Sequence, residues 1–282
     1  KLALVAFLHL TVFSDAWAQE IPRTSGGRPD FQGIWLNPAG GAPLEAGRLG
    51  GQLVVSQAEA KALGDAAAER SYSAPLFTTQ ADLPETLEAA VVRGEFRTRL
   101  LVEPADGRLP YTPNAEAAAA KYFDFYVRSR QGLLVDHPEE RDLSERCITV
   151  EGQPPMPFGN GSFARQIVQT PDHLLIYSEY ATEARVIRIG GNFQPQNARS
   201  WYGDSVARWD GDTLLIETRS FRIDMPFHIF VGQRPVTVGP ESIVIERISY
   251  ASRDELNYTF TVEDPTIYRG AWLGEYAMQR TQ

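Results

Sequence analysis

One cysteine, Cys147, stands among 282 residues, so the chain closes no disulfide on itself and its fold must hold by burial alone. Beyond Phe13 no apolar run approaches the roughly 20 residues that a membrane-spanning helix needs. Cationic side chains are outnumbered, with 27 Lys and Arg against 36 Asp and Glu for a formal charge of −9. That deficit argues against nucleic acid or an anionic membrane surface as partner, because both demand clustered Lys and Arg. A neutral or cationic small molecule is the partner this charge balance favours. Histidine is scarce: beyond the N-terminal stretch it occurs at His137, His173 and His228, in separate segments without H-x-H or H-E-x-x-H spacing. No metal site is predicted from that pattern. G-x-S-x-G, G-x-G-x-x-G and the P-loop are missing as well, so no cofactor is expected.

What is present begins with Lys1 and the apolar stretch Leu2 to Phe13, followed by the small-x-small triplet Ala16-Trp17-Ala18. This reads as a secretory signal peptide over residues 1–18, with a mature chain from about Gln19 in the periplasm or outside the cell. The remainder, 19–282, is expected to form one domain with a helical and looping part (19–156) and a strand-rich part (157–282).

In the first part, "FQGIWL" (Phe31 to Leu36) is a candidate strand within Gly- and Pro-rich chain. Ser56, with Glu59 three residues on, is a capping box opening a helix. "PETLEAAVVRGEF" (Pro84 to Phe96) is a second helix candidate with Pro in its first turn, and "PNAEAAAAKYFDFYVRSR" (Pro113 to Arg130) is the third and strongest. Past Pro157 the period changes to two. Eight stretches, from "ARQIVQT" to "AWLGEYAMQ", alternate between turn signals such as Pro171-Asp172, Asp210-Gly211 and Arg253-Asp254. In "ELNYTFTVE" the residues Leu256, Tyr258, Phe260 and Val262 share one face, opposite Asn257, Thr259 and Thr261. "LLIYSEY" and "SIVIERI" carry apolar residues on both faces, as a closed barrel requires. The fold expected is mainly β, an antiparallel meander closing into a lipocalin-like barrel, with the N-terminal helices and loops packed over one end.

"LLVEPADGRLPYTPNAEA", "LSERCITVEG", "IVQTPDHLLIYSEY", "WYGDSVARWDGDTLLIET" and "IERISY…LNYTFTVEDP" together resemble a large family of uncharacterised exported bacterial β-rich proteins. The resemblance runs from about Arg97 to the C-terminus and implies an exported β-rich fold, with no activity to carry over. The chain departs from the family at "RIDMPFHIFVGQRPVTVG" (Arg222 to Gly239), an insertion that brings His228, and at Thr182.

Two hairpins carry the candidate chemistry. If Asp210 and Gly211 form a two-residue turn, counting back places Asp204 opposite Glu217. Facing carboxylates repel, which a sequence tolerates when one is protonated, when a cation lies between them, or when the ladder has already ended. If Ala181 to Glu183 form the next loop, Glu179 faces Arg185 on a side shared with Tyr177, either as a structural ion pair or as a ligand anchor. Glu246 and Arg247 lie on opposite faces of one strand, so at least one points into an apolar layer and needs a partner there. Gly203-Asp204-Ser205 is similar to the nucleophile block of GDSL-type esterases, but no His follows His228 to complete a triad. Asp210 to Asp212 reads as a solvated turn rather than a Ca²⁺ loop, Cys147 as a small buried residue and His173 as a turn residue.

The function expected from these residues is binding of a moderately hydrophobic small molecule in the barrel mouth, with cofactor-free isomerase, lyase or hydratase chemistry. Asp204 and Glu217 would transfer protons, Arg185 or Arg247 would stabilise negative charge, and Trp201, Tyr268, Tyr177, Glu179 and His228 would line the ligand site. The rival expectation is a non-catalytic carrier outside the cytoplasm, whose interior would be aromatic with every charge neutralised.

Overall fold

The computed structural model describes residues 20–36, 42–46, 51–71, 89–130, 132–133, 136–138, 154–156, 164–179, 183–222 and 236–281. The expected signal peptide, Cys147, Thr182 and His228 lie outside the described residues. The strand-forming stretches appear where period-two alternation placed them: β6 (Ala164–Gln169), β7 (His173–Ser178), β8 (Glu183–Ile189), β9 (Asp204–Asp210), β10 (Thr213–Arg219), β11 (Ile243–Ser252), β12 (Glu255–Glu263) and β13 (Trp272–Arg280). β1 (Gly33–Leu36) inserts between β6 and β13, pairing with Ala164 to Ile167 on one side and Gln279 and Arg280 on the other. That insertion closes a barrel of nine strands. Closure removes the two edges that an open sheet would expose.

The ladder is antiparallel except at β8 and β9, which run parallel through Arg188↔Val206 and Ile189↔Ala207. A parallel neighbour cannot be reached by a tight hairpin. The chain therefore crosses over through residues 190–203, opened by Gly190 and Gly191 at positive φ.

Side chains alternate between lumen and exterior along every strand. Leu256, Tyr258, Phe260 and Val262 point inward and are fully buried. Trp272, Tyr276 and Met278 from β13, Val244 and Ile248 from β11, and Leu214 and Ile216 from β10 join them in one core cluster. Gly274 sits under Phe260 so closely that a Cβ there would lie 2.2 Å from the ring. At the end carrying the β9–β10 turn, Phe31 stacks on Trp209 and Tyr250 at 5.7 and 5.4 Å, and Arg280 covers Trp35 at 4.3 Å. Residues 20–31 hold that closure in place: Arg23 grips Asp212 with two hydrogen bonds of 3.0 and 2.7 Å, and Arg28 lies over the Trp209 ring.

Of the three helices expected, two are present as α1 (Gln57–Ser71) and α2 (Pro113–Arg130). The capping box forms as read, the Ser56 amide donating to Glu59 at 2.8 Å and the Glu59 amide to Ser56 Oγ at 3.3 Å. The segment from Pro84 is a correction. Its described part is a hairpin, β3 (Ala90–Val92) and β4 (Glu95–Arg97), because Arg93 and Gly94 both adopt positive φ, 52° and 77°, which ends any helix and forms a tight turn. With β2 (Val54–Val55) this hairpin makes a small three-stranded sheet against the outer face of β13. β5 (Leu101–Glu103) extends the barrel wall beside β13.

Candidate functional site

Four strands aim polar groups into the barrel lumen at one level. Arg185 on β8, Ser205 on β9, Thr218 on β10 and Glu246 on β11 are each at most 4% exposed. They share a side with Ile187, Ala207, Ile216 and Val244, which is why alternation alone sends them inward. The Arg185 guanidinium donates through Nη1 to Glu246 Oε1 at 2.9 Å and through Nη2 to Oε2 at 2.5 Å, a bidentate pair. Nε and Nη2 also reach Ser205 Oγ at 3.2 and 3.0 Å, and Nη2 reaches Thr218 Oγ1 at 2.8 Å. The two hydroxyls lie 2.9 Å apart.

A phenol extends this network across the lumen. Tyr258 on β12 donates to Glu246 Oε1 at 2.7 Å and accepts the backbone N–H of Met156 at 2.8 Å. Tyr276 on β13 donates to the Met156 carbonyl at 3.1 Å. Residues 154–156 are buried there, so a stretch of chain outside the barrel wall occupies the lumen between two tyrosine hydroxyls. Burial, reinforced by the Glu246 carboxylate, pushes the Tyr258 hydroxyl well above its ordinary range. A second buried guanidinium, Arg165 on β6, faces the same lumen between Trp35 and Ser178 in the sheet register.

The carboxylate pair read from the sequence is not brought face to face. The loop of the β9–β10 hairpin is Gly211 and Asp212, with Asp210 opposite Thr213, so Asp204 lies opposite Arg219 and Glu217 opposite Val206. Positive φ falls on Gly211 alone among the loop pair, the II′ arrangement, and the Arg23–Asp212 pair locks it. Moving the loop by one residue moves each partner by two and keeps the faces. Both acids accordingly lie on the exterior side, each with its own cation. Asp204 accepts from Arg188 at 2.8 and 3.0 Å and from the Gln194 amide at 2.6 Å. Burial opposes its ionisation, but the Arg188 guanidinium and the Gln194 amide outweigh that and hold the carboxyl below its ordinary value. Asp204 thus ties the crossover loop to β8. Glu217 pairs with Arg219, its own strand neighbour two residues on.

The Glu179–Arg185 register is also a correction. Ser178 pairs with Glu183 and Ile176 with Arg185, so the loop has four residues rather than three. One residue of slip inverts a strand. Leu174, Ile176 and Ser178 are therefore inward, while Tyr177 and Glu179 are exposed on the outer wall. Arg247 is exposed on the outside of β11, and its neighbour Glu246 takes the inward place. Trp201 is half-buried beneath Arg222, whose guanidinium lies 4.4 Å from the ring centre. Tyr268 is buried near the far end of the barrel against Tyr111 and Trp272, its hydroxyl donating to the Thr237 carbonyl at 2.9 Å. Among the sequence-derived candidates, Arg185 alone belongs to the luminal network. Ser205, Thr218, Tyr258, Tyr276 and Met156 join it without having been singled out for chemistry, although alternation with Ala207, Ile216 and Leu256 marks the first three as inward.

No group of three His, Cys, Asp or Glu side chains placed to hold a metal exists among the described residues. No helix among them is long and apolar enough to cross a membrane. No model of a known protein family matches the chain, and no curated protein sequence does.

Proposed function

We propose that this is an exported protein that binds a moderately hydrophobic small molecule inside its barrel, as a non-catalytic carrier. One observation carries the reading: Met156 sits in the lumen between the hydroxyls of Tyr258 and Tyr276. The inward side chains of the strands leave room for a guest, and the wall offers that guest one acceptor and one donor. Barrels of about eight strands are at the size where the lumen is either filled or holds one small ligand. The surrounding wall is aromatic, and its central charges, Arg185 and Glu246, neutralise each other. Export rests on the N-terminal sequence and on the resemblance to exported bacterial proteins.

A cofactor-free isomerase, lyase or hydratase is the second reading. The hydrogen bond from Tyr258 to a carboxylate braced by Arg185 favours it, since a phenol on a fixed acceptor is a proton-transfer device. The raised Tyr258 hydroxyl holds its proton too firmly for transfer near neutral pH, which places binding ahead of catalysis.

Native mass spectrometry of the protein purified from an expressing bacterium tests the proposal. A stoichiometric small-molecule adduct that disappears in Tyr258→Phe is the expected result. Absence of any adduct, together with no saturable binding of an apolar fluorescent probe such as 1-anilinonaphthalene-8-sulfonate, overturns it.

A further inference from the structure

A second concentration of polar groups lies on the outside of the barrel. A groove of about 420 Å³ runs between the β3–β4 turn and the β11–β12 hairpin, lined by Arg93, Gly94, Ala251, Ser252, Glu255 and Asn257. Its volume falls within the roughly 300–1,000 Å³ typical of small-molecule sites. Asn257 is only 7% exposed, and its carboxamide oxygen has no hydrogen-bond partner among the described residues. Next to it, Arg97 Nε is buried without an acceptor. Glu275 Oε1 lies 2.8 Å from Arg93 Nη2 without hydrogen-bond alignment. Buried polar atoms are normally satisfied, so three such atoms on neighbouring side chains of one wall require an explanation.

The turn adds a second, independent observation. Arg93 holds a left-handed φ of 52°, at a position where Asn, Asp or Gly is the ordinary occupant. That strain places a guanidinium at the rim of the groove. We propose that the groove is a binding site for a neutral polyhydroxylated molecule, a sugar or polyol.

The charges present select this chemistry. Arg93 and Arg97 face Glu95, Glu255 and Glu275, and four of the five are already engaged with one another, through Arg93–Glu275 at 2.8 Å and Arg97–Glu95 at 2.6 Å. The fifth, Glu255, accepts from Gln279 at 2.5 Å. An ionic ligand would have to break these contacts, and an anion would also meet the surplus carboxylate. The open capacity is neutral: a carboxamide oxygen and a carboxylate oxygen that each need a donor, and an N–H that needs an acceptor. A hydroxyl group supplies both. Several hydroxyls on one small frame answer all three atoms at once.

Ligand-observed NMR with D-glucose, myo-inositol and sucrose, each titrated against the whole protein, tests the site, with L-alanine as the zwitterionic comparison. Saturable binding of at least one polyol in the millimolar range is expected, weakened about tenfold by Asn257→Leu, the loss of one hydrogen bond to a ligand. Asn257→Leu removes an unsatisfied atom, so its melting temperature without ligand should equal or exceed that of the parent. Should that variant fail to fold, Arg93→Asn suits the left-handed turn position and is expected to weaken the polyol several-fold. Saturation by none of the three polyols, affinity unchanged in a folded Asn257→Leu, a melting temperature lowered by that substitution, or Asn257-dependent binding of L-alanine in place of the polyols overturns the proposal. The groove lies outside the lumen, so the fate of the luminal ligand has no bearing on these outcomes.

Discussion

Arg185 and Glu246 meet inside the barrel across 61 residues of sequence, joined by two hydrogen bonds of 2.9 and 2.5 Å. Each is at most 3% exposed, so neither charge has water to fall back on. Removing one leaves the other buried and uncompensated, which costs about 3–5 kcal/mol. Arg185→Met and Glu246→Gln should each show that loss in urea denaturation. The double replacement Arg185→Met with Glu246→Leu should recover much of it, because a packed apolar pair of similar volume needs no desolvation of charge. A double variant as unstable as the sum of the singles would show that the two side chains do not act as a pair.

The outer acid pair predicts a different pH signature. Asp204 has its folded pKa depressed by Arg188 and the Gln194 amide against the cost of burial. Its contribution is therefore complete above the unfolded carboxyl value, near 4, and fades as pH falls through the lower folded value. Asp204→Asn should cost about 1–3 kcal/mol at neutral pH, the range for a buried hydrogen-bonded charge losing its partners. The gap between variant and parent should then narrow on acidification below about pH 4. Equal stability of the two proteins at pH 7 in chemical denaturation would contradict the role assigned to Asp204 in tying down the crossover loop.

Luminal hydrogen bonding predicts an order between two tyrosines. Tyr258→Phe strands the Met156 N–H and removes a donor from Glu246, whereas Tyr276→Phe removes one donor from the Met156 carbonyl. A buried N–H without an acceptor is tolerated less well than a carbonyl with a lone pair unused. Tyr258→Phe should therefore lower stability by about 1–3 kcal/mol and Tyr276→Phe by less. Urea midpoints measured side by side check the order, and a larger loss in Tyr276→Phe would reverse it.

These relationships also show what could be read in advance. Alternation of apolar and polar residues located the strands, including Phe31 to Leu36 as a strand apart from the rest, and it assigned Tyr258 and Phe260 to the interior. Register was less legible, because it depends on loop length. A four-residue loop after Ser178 inverted the face expected for Tyr177 and Glu179, and a one-residue displacement at Gly211 separated Asp204 from Glu217 by two places. Arg23 sets that second register from 189 residues away, a contact with no local trace in the hairpin itself. The stretch Ala90 to Arg97 read as helix because its composition suits one, yet two left-handed residues at Arg93 and Gly94 decided otherwise. The presence of Met156 in the lumen is a tertiary fact without a sequence period.

Gly274 offers the sharpest test of the packing. It faces inward on β13 opposite Phe260, and a methyl group there would stand 2.2 Å from the ring carbon Cζ and 2.8 Å from both Cε atoms. The ring is fully buried and wedged against Trp272 and Tyr276, so it has little room to withdraw. Gly274→Ala should cost about 1–3 kcal/mol or more through overpacking, even though alanine suits a strand better than glycine. Phe260→Leu alone should cost a similar amount by leaving a cavity. Combined, the two should be less harmful than their sum, because the smaller side chain vacates the space that the new methyl needs. Strictly additive losses in thermal or urea unfolding would mean that the strain at Gly274 lies in its backbone rather than against the Phe260 ring.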